Sequence, residues 1–222
     1  MKVLYIDHYD SFTFNLIDWL QTRSKKIEII RVCYDQVRTL EKYIRNPLPV
    51  VLSPGPCSPK EASTTMSFVS SVFNQVPILG VCLGEQILGQ FAGFQMGRSE
   101  KPLHGSCKKV FLSDRPGRLM KGFDSVLEVA CYHSLVLRES ELVSPGWRVT
   151  ARCEFGEIMA IEYEASSRWL TAGVQFHPES FLSKQMGTIA DNWIQSAFQW
   201  HVERKKFKAE MPYKSLQEVS QL

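Results

Sequence analysis

The first half of the chain alternates short apolar runs with segments of helical periodicity. The apolar runs predict buried strands at Lys2–Asp7, Ile27–Cys33, Val50–Ser53 and Pro77–Cys82. Helical spacing predicts helices near Phe12–Thr22, in a looser stretch that ends at Ile44, near Ser63–Phe73 and from about Glu85. We expect Asp10 or Ser11 to cap the first helix. Strands that alternate with helices favour right-handed crossovers and a parallel sheet covered on both faces.

The second half of the chain has short apolar runs separated by turn residues. Strands are predicted at Lys108–Leu112, Val126–Cys131, Trp147–Cys153, Ile158–Tyr163 and Leu170–Phe176. A closing helix is predicted over Lys184–Val202, with an apolar face formed by Ile189, Trp193, Ile194 and Phe198. Antiparallel hairpins should therefore extend the sheet. The whole pattern indicates an α/β fold with a mostly parallel open sheet, helices on both faces and an added antiparallel section.

The domain organisation follows from the absence of any linker or composition shift along the chain. We predict one domain over residues 1–203. Residues 204–222 contain Pro212 and the run Arg-Lys-Lys-Phe-Lys, and they are expected to form a loosely held basic tail. Much of the net charge of +3 lies in this tail. We interpret the basic run as a solvated helix end, and we predict no binding of nucleic acid.

Composition limits the location and the chemistry of the protein. A chain of 222 residues with 44% hydrophobic residues can bury a sizeable core without disulfides. No apolar run approaches the roughly 20 residues of a membrane-spanning helix, and the N-terminus lacks a signal-peptide cleavage site. The six cysteines show no C-x-x-C and no paired Cys/His ligand spacing, so no metal site is predicted. We expect a cytoplasmic protein, not bound to membranes, whose cysteines are free and mostly buried thiols.

Residues 80–84 read GVCLG, where a predicted strand turns into a predicted helix. A nucleophile between two glycines at such a turn is typical of a nucleophile elbow, because the glycines permit a tight turn and a close approach. A helix N-terminus and a neighbouring imidazolium both favour the thiolate form of a cysteine. Cys82 is therefore a candidate nucleophile, and the N–H of Leu83 is free to donate to a developing oxyanion. The alternative is a buried structural cysteine in a glycine-rich turn.

Residues 173–180 read GVQFHPES. Residues two apart in an extended segment project to the same side, so His177 and Glu179 are expected to meet, with Pro178 holding the backbone extended. A carboxylate on one ring nitrogen would fix the tautomer and leave the other nitrogen for Cys82. Taken alone, however, this segment is better explained by an exposed histidine at a strand end beside a surface glutamate.

Residues 53–59 read SPGPCSP and follow a predicted parallel strand, at the edge where ligands bind in open α/β sheets. Gly55 lies between two prolines, so its N–H can face a site with no side chain in the way. That arrangement suits a second oxyanion donor. Taken alone, this segment is better explained as a plain strand-to-helix connection.

Six segments together resemble class I glutamine amidotransferases. They are DHYDSFTFN (residues 7–15), SPGPCSP (53–59), ILGVCLGEQ (78–86), LHG (103–105), YHSL (132–135) and GVQFHPES (173–180). Within that family, the chain is most similar to the small glutaminase subunits that serve anthranilate synthase and aminodeoxychorismate synthase, which use chorismate. The resemblance implies the flavodoxin-like α/β fold of class I glutaminases. It also implies a partner, a chorismate-binding synthase subunit, in a heterodimer.

The resemblance assigns roles to individual residues. Cys82 would be the nucleophile, His177 its acid/base partner and Glu179 the orienting carboxylate. Gly55 and Leu83 would supply the oxyanion hole. Residues that would hold glutamine are Gly55, Pro56, Cys57, Gln86, Ser134 and Leu135. The implied reaction releases ammonia from L-glutamine through a glutamyl thioester, with no cofactor and no metal.

The chain departs from the family pattern at four positions outside these three catalytic residues. Glu85 replaces the usual His, Ser106 the usual Lys, Cys131 the usual Arg and His8 a common Asn. Glu85 suits the dipole of its helix but would place negative charge near a thiolate, unless it faces away or pairs with a basic group of this chain or of a partner. The changes at Ser106 and Cys131 bear on partner docking more than on chemistry.

Two other functions stay open at this point. The substitutions at Glu85, Ser106 and Cys131 motivate a non-catalytic regulatory or binding subunit of the same fold. A stand-alone cysteine hydrolase acting on γ-glutamyl compounds is the other. The pathway is open as well: the SPGPCSP segment leans towards the aminodeoxychorismate (folate) branch, but subunits that serve both the folate and the tryptophan branches share it.

Overall fold

The computed structural model describes residues 1–102, 105–165 and 168–210. Its strands are β1 Lys2–Asp7, β2 Glu28–Cys33, β3 Val50–Leu52, β4 Ile78–Val81, β5 Gln95–Arg98, β6 Ser106–Leu112, β7 Val126–Cys131, β8 Leu135–Arg138, β9 Trp147–Cys153, β10 Ile158–Tyr163 and β11 Thr171–Val174. Its helices are α1 Thr13–Arg23, α2 Val37–Arg45, α3 Ser63–Val72, α4 Leu83–Ala92 and α5 Gly187–Glu210. Strands and helices alternate as far as α4, and the second half is mainly strands until α5.

Within the described residues, nine strands form one sheet in the order β2-β1-β3-β4-β11-β10-β9-β6-β7. The strands from β2 to β11 in this order pair in parallel, and those from β10 to β7 extend the sheet in antiparallel fashion. Strands β4 and β11 are neighbours, with Val81 opposite Val174. Because parallel strands end at the same edge, the segments that follow β3, β4 and β11 meet there.

Each face of the sheet is buried under helices. Val3 and Tyr5 of β1 belong to one core cluster, which includes residues of α1 and α5. Leu4 and Ile6 of the same strand belong to a second cluster, formed with residues of α2, α3 and α4. Successive side chains of a strand point to opposite faces, so a strand buried on both sides must be apolar throughout. This explains the continuous apolar runs in the first half of the sequence.

The predicted α/β architecture, with a mostly parallel sheet and an antiparallel extension, is confirmed. The expected cap of α1 is wrong: the N-cap position is Phe12, and Asp10 Oδ1 instead accepts the Phe12 N–H at 2.7 Å. Asp10 therefore stabilises the turn before the helix, because a short carboxylate reaches the amide two residues ahead. No pattern along the chain indicated β5 and β8, which form a separate two-stranded antiparallel sheet within the described residues.

The last helix is longer than the pattern predicted, because α5 continues past the proposed boundary at residue 203 to Glu210. Residues 211–222, with Pro212, lie outside the described residues, as do Leu103 and His104 of the LHG segment. The division into a domain and a tail therefore stays a prediction. Among the helices described, none combines the length and the apolarity needed to cross a membrane.

All six cysteines are free thiols. Cys82, Cys131 and Cys153 are buried, Cys33 and Cys57 are half-buried, and Cys107 is exposed. The expectation that most of them are buried is therefore wrong, because only three of the six are buried.

Candidate active site

Cys82 occupies the turn between β4 and α4. Its backbone has φ +53° and ψ −105°, and it stands at the N-cap position of α4. Left-handed backbone is uncommon for a residue with a Cβ, and residues held in such conformations cluster at functional sites. Its side chain is 8% exposed, which leaves the thiol only a narrow contact with solvent. A sharp strand-to-helix turn with the thiol at the helix N-terminus has the form of a nucleophile elbow.

Two glycines allow this turn to pack closely. A Cβ on Gly80 would lie 2.5 Å from the carbonyl group of Gly84, and a Cβ on Gly84 would lie 2.3 Å from the Leu52 carbonyl oxygen. Neither contact is sterically possible. Helix α4 can therefore begin directly against β3 and β4 only because both positions are glycine.

His177 lies beside Cys82 because β4 and β11 are neighbouring parallel strands. The Cys82 N–H donates to the Val174 carbonyl at 2.8 Å, and Cys82 is close enough to the His177 ring to raise the pKa of His177. On its other side, His177 Nδ1 lies 2.7 Å from Glu179 Oε1. The side chains of His177 and Glu179 are 3% and 0% exposed. The structure thus brings the three predicted catalytic residues together in a buried group, with a hydrogen bond between His177 and Glu179.

The backbone that joins His177 to Glu179 is a turn, and our expectation of an extended segment is wrong. Strand β11 ends at Val174, and the Ser180 N–H donates to the His177 carbonyl at 3.2 Å. The His177 N–H donates to the Ala130 carbonyl at 3.1 Å, so the end of β7 reaches back to this turn. Because both side chains are buried, the alternative of an exposed histidine beside a surface glutamate does not apply.

The charge state of His177 is set by its two neighbours. Burial by itself would lower the pKa of His177, but hydrogen bonds and charge interactions with Cys82 and Glu179 outweigh it and hold the pKa well above its ordinary value. A buried cation is stabilised when hydrogen-bond acceptors or opposite charges lie beside it. The arrangement therefore favours the imidazolium form of His177.

Two aromatic rings fix the position of the His177 ring. The Phe12 ring lies 5.4 Å from it between centroids, and the Tyr132 ring lies 5.0 Å from it in an edge-to-face arrangement. Phe12 and Tyr132 also pack on each other at 5.0 Å, and the Tyr132 hydroxyl lies 3.3 Å from Ser180 Oγ. Offset and edge-to-face pairs of this kind are favourable and directional. The DSFT and YHSL segments therefore contribute to the site by packing.

Gly55 and Leu83, the candidate oxyanion donors, lie in contact. A Cβ added to Gly55 would lie 2.7 Å from Leu83 Cδ2 on one side and 2.6 Å from His8 Cβ on the other. The loop after β3 thus runs in a narrow space between α4 and the segment that follows β1. Only glycine fits at this position.

Among the residues expected to hold glutamine, Gln86 and Leu135 are linked to the thiol through a residue that the sequence did not single out. Gln175 is fully buried; its Nε2 donates to Cys82 Sγ at 3.6 Å, and its Oε1 accepts from Gln86 Nε2 at 2.9 Å. Gln86 Nε2 also donates to the Leu135 carbonyl at 3.0 Å. The only signal for Gln175 was its place in the GVQFHPES segment.

The other three residues expected at the glutamine site lie nearer to solvent. Ser134 and Pro56 are exposed, and Cys57 is half-buried. The Ser134 carbonyl accepts the Ser99 N–H at 2.8 Å, which joins the YHSL segment to the end of β5.

Glu85 is fully buried in the first turn of α4, so a negative charge near Cys82 would have to lie on a desolvated carboxyl group. Neither carboxyl oxygen has a hydrogen-bond partner in the part of the chain that the structure describes. Burial raises the pKa of Glu85 well above its ordinary value. The direction of this shift follows from the cost of desolvating a carboxylate that has no hydrogen-bond partner among the described residues.

Two of the other departures from the family pattern are neighbours on adjacent strands. Ser106 begins β6 and lies directly opposite Cys131, the last residue of β7. Cys131 is fully buried, and burial raises its pKa to about 12. Two residues after Ser106, Lys108 is also fully buried, and its Nζ lies 2.6 Å from Glu157 Oε2. This face of the antiparallel section therefore contains an internal ion pair.

Comparison with known proteins agrees with this geometry. The family model described as "Glutamine amidotransferase class-I" matches residues 4–197. Aminodeoxychorismate synthase component 2 of Klebsiella aerogenes is 35% identical over 192 residues, which cover 86% of this chain and 98% of that protein. Aminodeoxychorismate/anthranilate synthase component 2 of Bacillus subtilis is 33% identical over 198 residues, which cover 87% and 96%. A longer bifunctional protein of Thermotoga maritima is 34% identical, but the match spans only 32% of its length.

A solved structure supports the fold. The crystal structure of a glutamine amidotransferase from Thermotoga maritima has a TM-score of 0.67 to this chain, with 20% sequence identity, and the alignment covers 93% of this chain and 85% of the other. At that identity the likeness concerns the fold alone.

Proposed function

The chain belongs to the glutamine amidotransferase class-I family, and we propose that it hydrolyses L-glutamine at Cys82 and supplies the ammonia to a chorismate-binding synthase subunit. The observation that carries this proposal is the buried group of Cys82, His177 and Glu179 at the edge of a parallel sheet, with His177 Nδ1 2.7 Å from Glu179 Oε1. Cytoplasmic location stays a prediction.

In the first half of the proposed reaction, the Cys82 thiolate attacks the side-chain amide carbon of glutamine. The new S–C bond converts the carbonyl oxygen into an oxyanion. His177, held as an imidazolium between Cys82 and Glu179, then protonates the amide nitrogen as the C–N bond breaks. Ammonia leaves and a glutamyl thioester remains on the enzyme.

In the second half, water attacks the thioester. Neutral His177 takes a proton from that water, a second oxyanion forms, and the C–S bond breaks to release glutamate and restore the thiolate–imidazolium pair. The proposed donors to both oxyanions are the N–H groups of Gly55 and Leu83, whose residues are in contact. Each such donor contributes about 10²–10³ in rate.

The polar groups around Gln86 are the proposed binding site for the glutamine substrate. Gln86 hydrogen-bonds the Leu135 carbonyl next to Ser134, and Gly55, at the start of the loop over residues 55–57, packs on Leu83. Gln175 joins this network to the thiol, and we propose that it orients the Cys82 side chain through its hydrogen bond to Sγ.

The proposed partner follows from the relatives, which are component 2 subunits of aminodeoxychorismate and anthranilate synthases. Ammonia is the nucleophile that chorismate chemistry needs, and it loses that ability when bulk water protonates it. We therefore propose a heterodimer in which ammonia crosses the interface between the two chains. The relatives' names cover both the folate and the tryptophan branches, and identification of the chain that co-purifies with this one would decide between them.

The decisive experiment is Cys82→Ser in the complex with its synthase partner. We expect product formation from glutamine to be abolished and product formation from added ammonium to persist. An electrophilic glutamine analogue should label Cys82 of the wild type, as detected by peptide mass spectrometry. Continued glutamine-dependent synthesis by the variant would refute the proposal, and absence of labelling would favour a non-catalytic subunit. Full activity without any second chain would instead favour a stand-alone hydrolase.

A further inference from the structure

We infer that His8 is a positioning residue that holds the oxyanion loop, residues 53–55, through a hydrogen bond from its Nδ1 to Ser53. This inference rests on the proposed glutaminase function and assigns a role to a residue that follows β1, outside the group formed by Cys82, His177 and Glu179. His8 is 1% exposed, so its ring is an internal group of the site.

Both nitrogens of the His8 ring are engaged. Nδ1 lies 3.0 Å from Ser53 Oγ, and Nε2 lies 3.0 Å from Thr65 Oγ1 on α3. The His8 backbone N–H also donates to Ser53 Oγ, at 2.8 Å. One residue therefore connects three parts of the fold, namely the segment after β1, the loop after β3 and helix α3.

The hydrogen bonds of Ser53 determine the tautomer of the ring. The Ser53 hydroxyl donates its single proton to the Pro54 carbonyl at 2.6 Å, so it can only accept from His8. Nδ1 must then carry the proton. Burial lowers the pKa of His8 to about 4, so the ring is neutral and Nε2 accepts from the Thr65 hydroxyl. With Nδ1 protonated, the ring nitrogens, both hydroxyl groups and the Pro54 carbonyl all have a hydrogen-bond partner.

The hydrogen bonds of His8 hold the loop directly beside Gly55, the proposed oxyanion donor. Ser53 and Pro54 immediately precede Gly55, and a Cβ on Gly55 would lie 2.6 Å from His8 Cβ and 3.0 Å from the His8 carbonyl oxygen. His8 thus packs against one side of Gly55, and Leu83 packs against the other. A shift of the loop by about 1 Å is enough to cost an oxyanion donor its effect.

Two matched substitutions separate the two ring nitrogens. The amide nitrogen of asparagine is as many bonds from Cα as Nδ1, so His8→Asn keeps a donor to Ser53. The amide of glutamine reaches as far as Nε2, so His8→Gln keeps the contact with Thr65 and loses the donor at the Nδ1 position. We expect His8→Asn to hydrolyse glutamine within about threefold of the wild-type kcat. We expect His8→Gln to lose about 10- to 100-fold in kcat, with KM within about threefold.

The measurement is glutamate release by the full chain with the synthase chain that co-purifies with it, and His201→Gln on α5 is the control. A purely structural role would lower the melting temperature of both His8 variants without this split between kcat and KM. If His8→Gln does not fold, Ser53→Ala provides the same test, because it removes the acceptor and should lower kcat by a similar factor. Equal kcat values for wild type, His8→Asn and His8→Gln would overturn the role of His8 alone. Absence of any glutamine hydrolysis by the wild type would overturn the proposed function as well.

Discussion

Glu85 and Gly173 are packed so closely that the glycine is required. A Cβ on Gly173 of β11 would lie 2.6 Å from Glu85 Cγ and 2.8 Å from Glu85 Cβ. The carboxyl side chain therefore lies flat on the strand that leads to His177, inside the core and without a hydrogen-bond partner among the described residues. A group of this kind titrates far from its usual pH range, and its titration is coupled to folding.

Glu85→Gln should make stability less dependent on pH. The folded-state pKa of Glu85 lies above its unfolded value of about 4.3. Between those two values the folded protein binds the additional proton, so the free energy of unfolding falls as pH rises, by at most about 1.4 kcal/mol per pH unit. Glutamine at this position does not titrate. In urea unfolding between pH 5 and pH 8, the unfolding free energy of the variant should therefore increase relative to that of the wild type as pH rises.

The control for this prediction is Glu41→Gln, which changes an exposed glutamate on α2. It should leave the pH dependence of unfolding unchanged. A constant difference in unfolding free energy between Glu85→Gln and the wild type across this pH range would mean that Glu85 is ionised in the folded protein.

Glu179→Gln should lower kcat for glutamine hydrolysis by about 10²–10⁴-fold, because loss of the carboxylate that orients the histidine lowers kcat by a similar factor in other catalytic triads. The amide cannot stabilise the imidazolium, so the pKa of His177 should fall from its raised value towards the ordinary one. Nuclear magnetic resonance titration of the His177 ring measures that pKa directly. Activity within threefold of the wild type would show that Glu179 does not orient His177.

The sequence predicted the parts of the site that depend on local patterns. The glycines around Cys82 indicated a tight strand-to-helix turn, and the order of strands and helices indicated a mostly parallel sheet with an antiparallel extension. The segment Leu170–Phe176 was expected among the antiparallel hairpins, but β11 pairs in parallel with β4. The spacing of His177 and Glu179 predicted their contact, although a turn and not an extended segment produces it. These features follow from steric rules that apply within a few residues.

Features that depend on distant pairing were not predictable in the same way. The β5–β8 sheet joins Gln95 to Arg138, and each strand has only four residues. The bond from Gln175 to Cys82 depends on strand pairing that no local pattern reveals. Glu85 looked like a carboxylate placed to suit a helix dipole, because a single sequence cannot show that a first-turn side chain is buried.

Lys108→Met should destabilise the protein by about 3–5 kcal/mol, because it leaves Glu157 buried without its cation. Burial would raise the pKa of Glu157, but hydrogen bonds from Lys108, Ser99 and the Glu100 amide lower it to about 2. A lowered folded-state pKa contributes stability above the unfolded value of about 4.3, and that contribution is lost as pH falls towards 2. Urea unfolding at pH 7 measures the loss.

The double variant Lys108→Met with Glu157→Leu should recover most of that loss, since a well-packed apolar pair often replaces a buried ion pair at little cost. The exposed pair Lys2–Glu28 is the matched control, with side chains 58% and 63% exposed. Lys2→Met should cost less than about 1 kcal/mol. A loss below about 1 kcal/mol for Lys108→Met would show that water reaches Glu157 in solution.

Gly55→Ala should lower kcat by about 10²-fold, because the new methyl group has no room between His8 Cβ at 2.6 Å and Leu83 Cδ2 at 2.7 Å and must displace the loop. The thiol is not part of that displacement, so alkylation of Cys82 by iodoacetamide should proceed at nearly the wild-type rate. Gly156→Ala is the control: its φ of +76° makes alanine cost about 1 kcal/mol, but no atom lies within 4 Å of the new Cβ. It should lower stability and leave kcat unchanged. Gly55→Ala must displace the loop. If its kcat for glutamine hydrolysis nevertheless stays within threefold of the wild type, the Gly55 N–H does not stabilise the oxyanion.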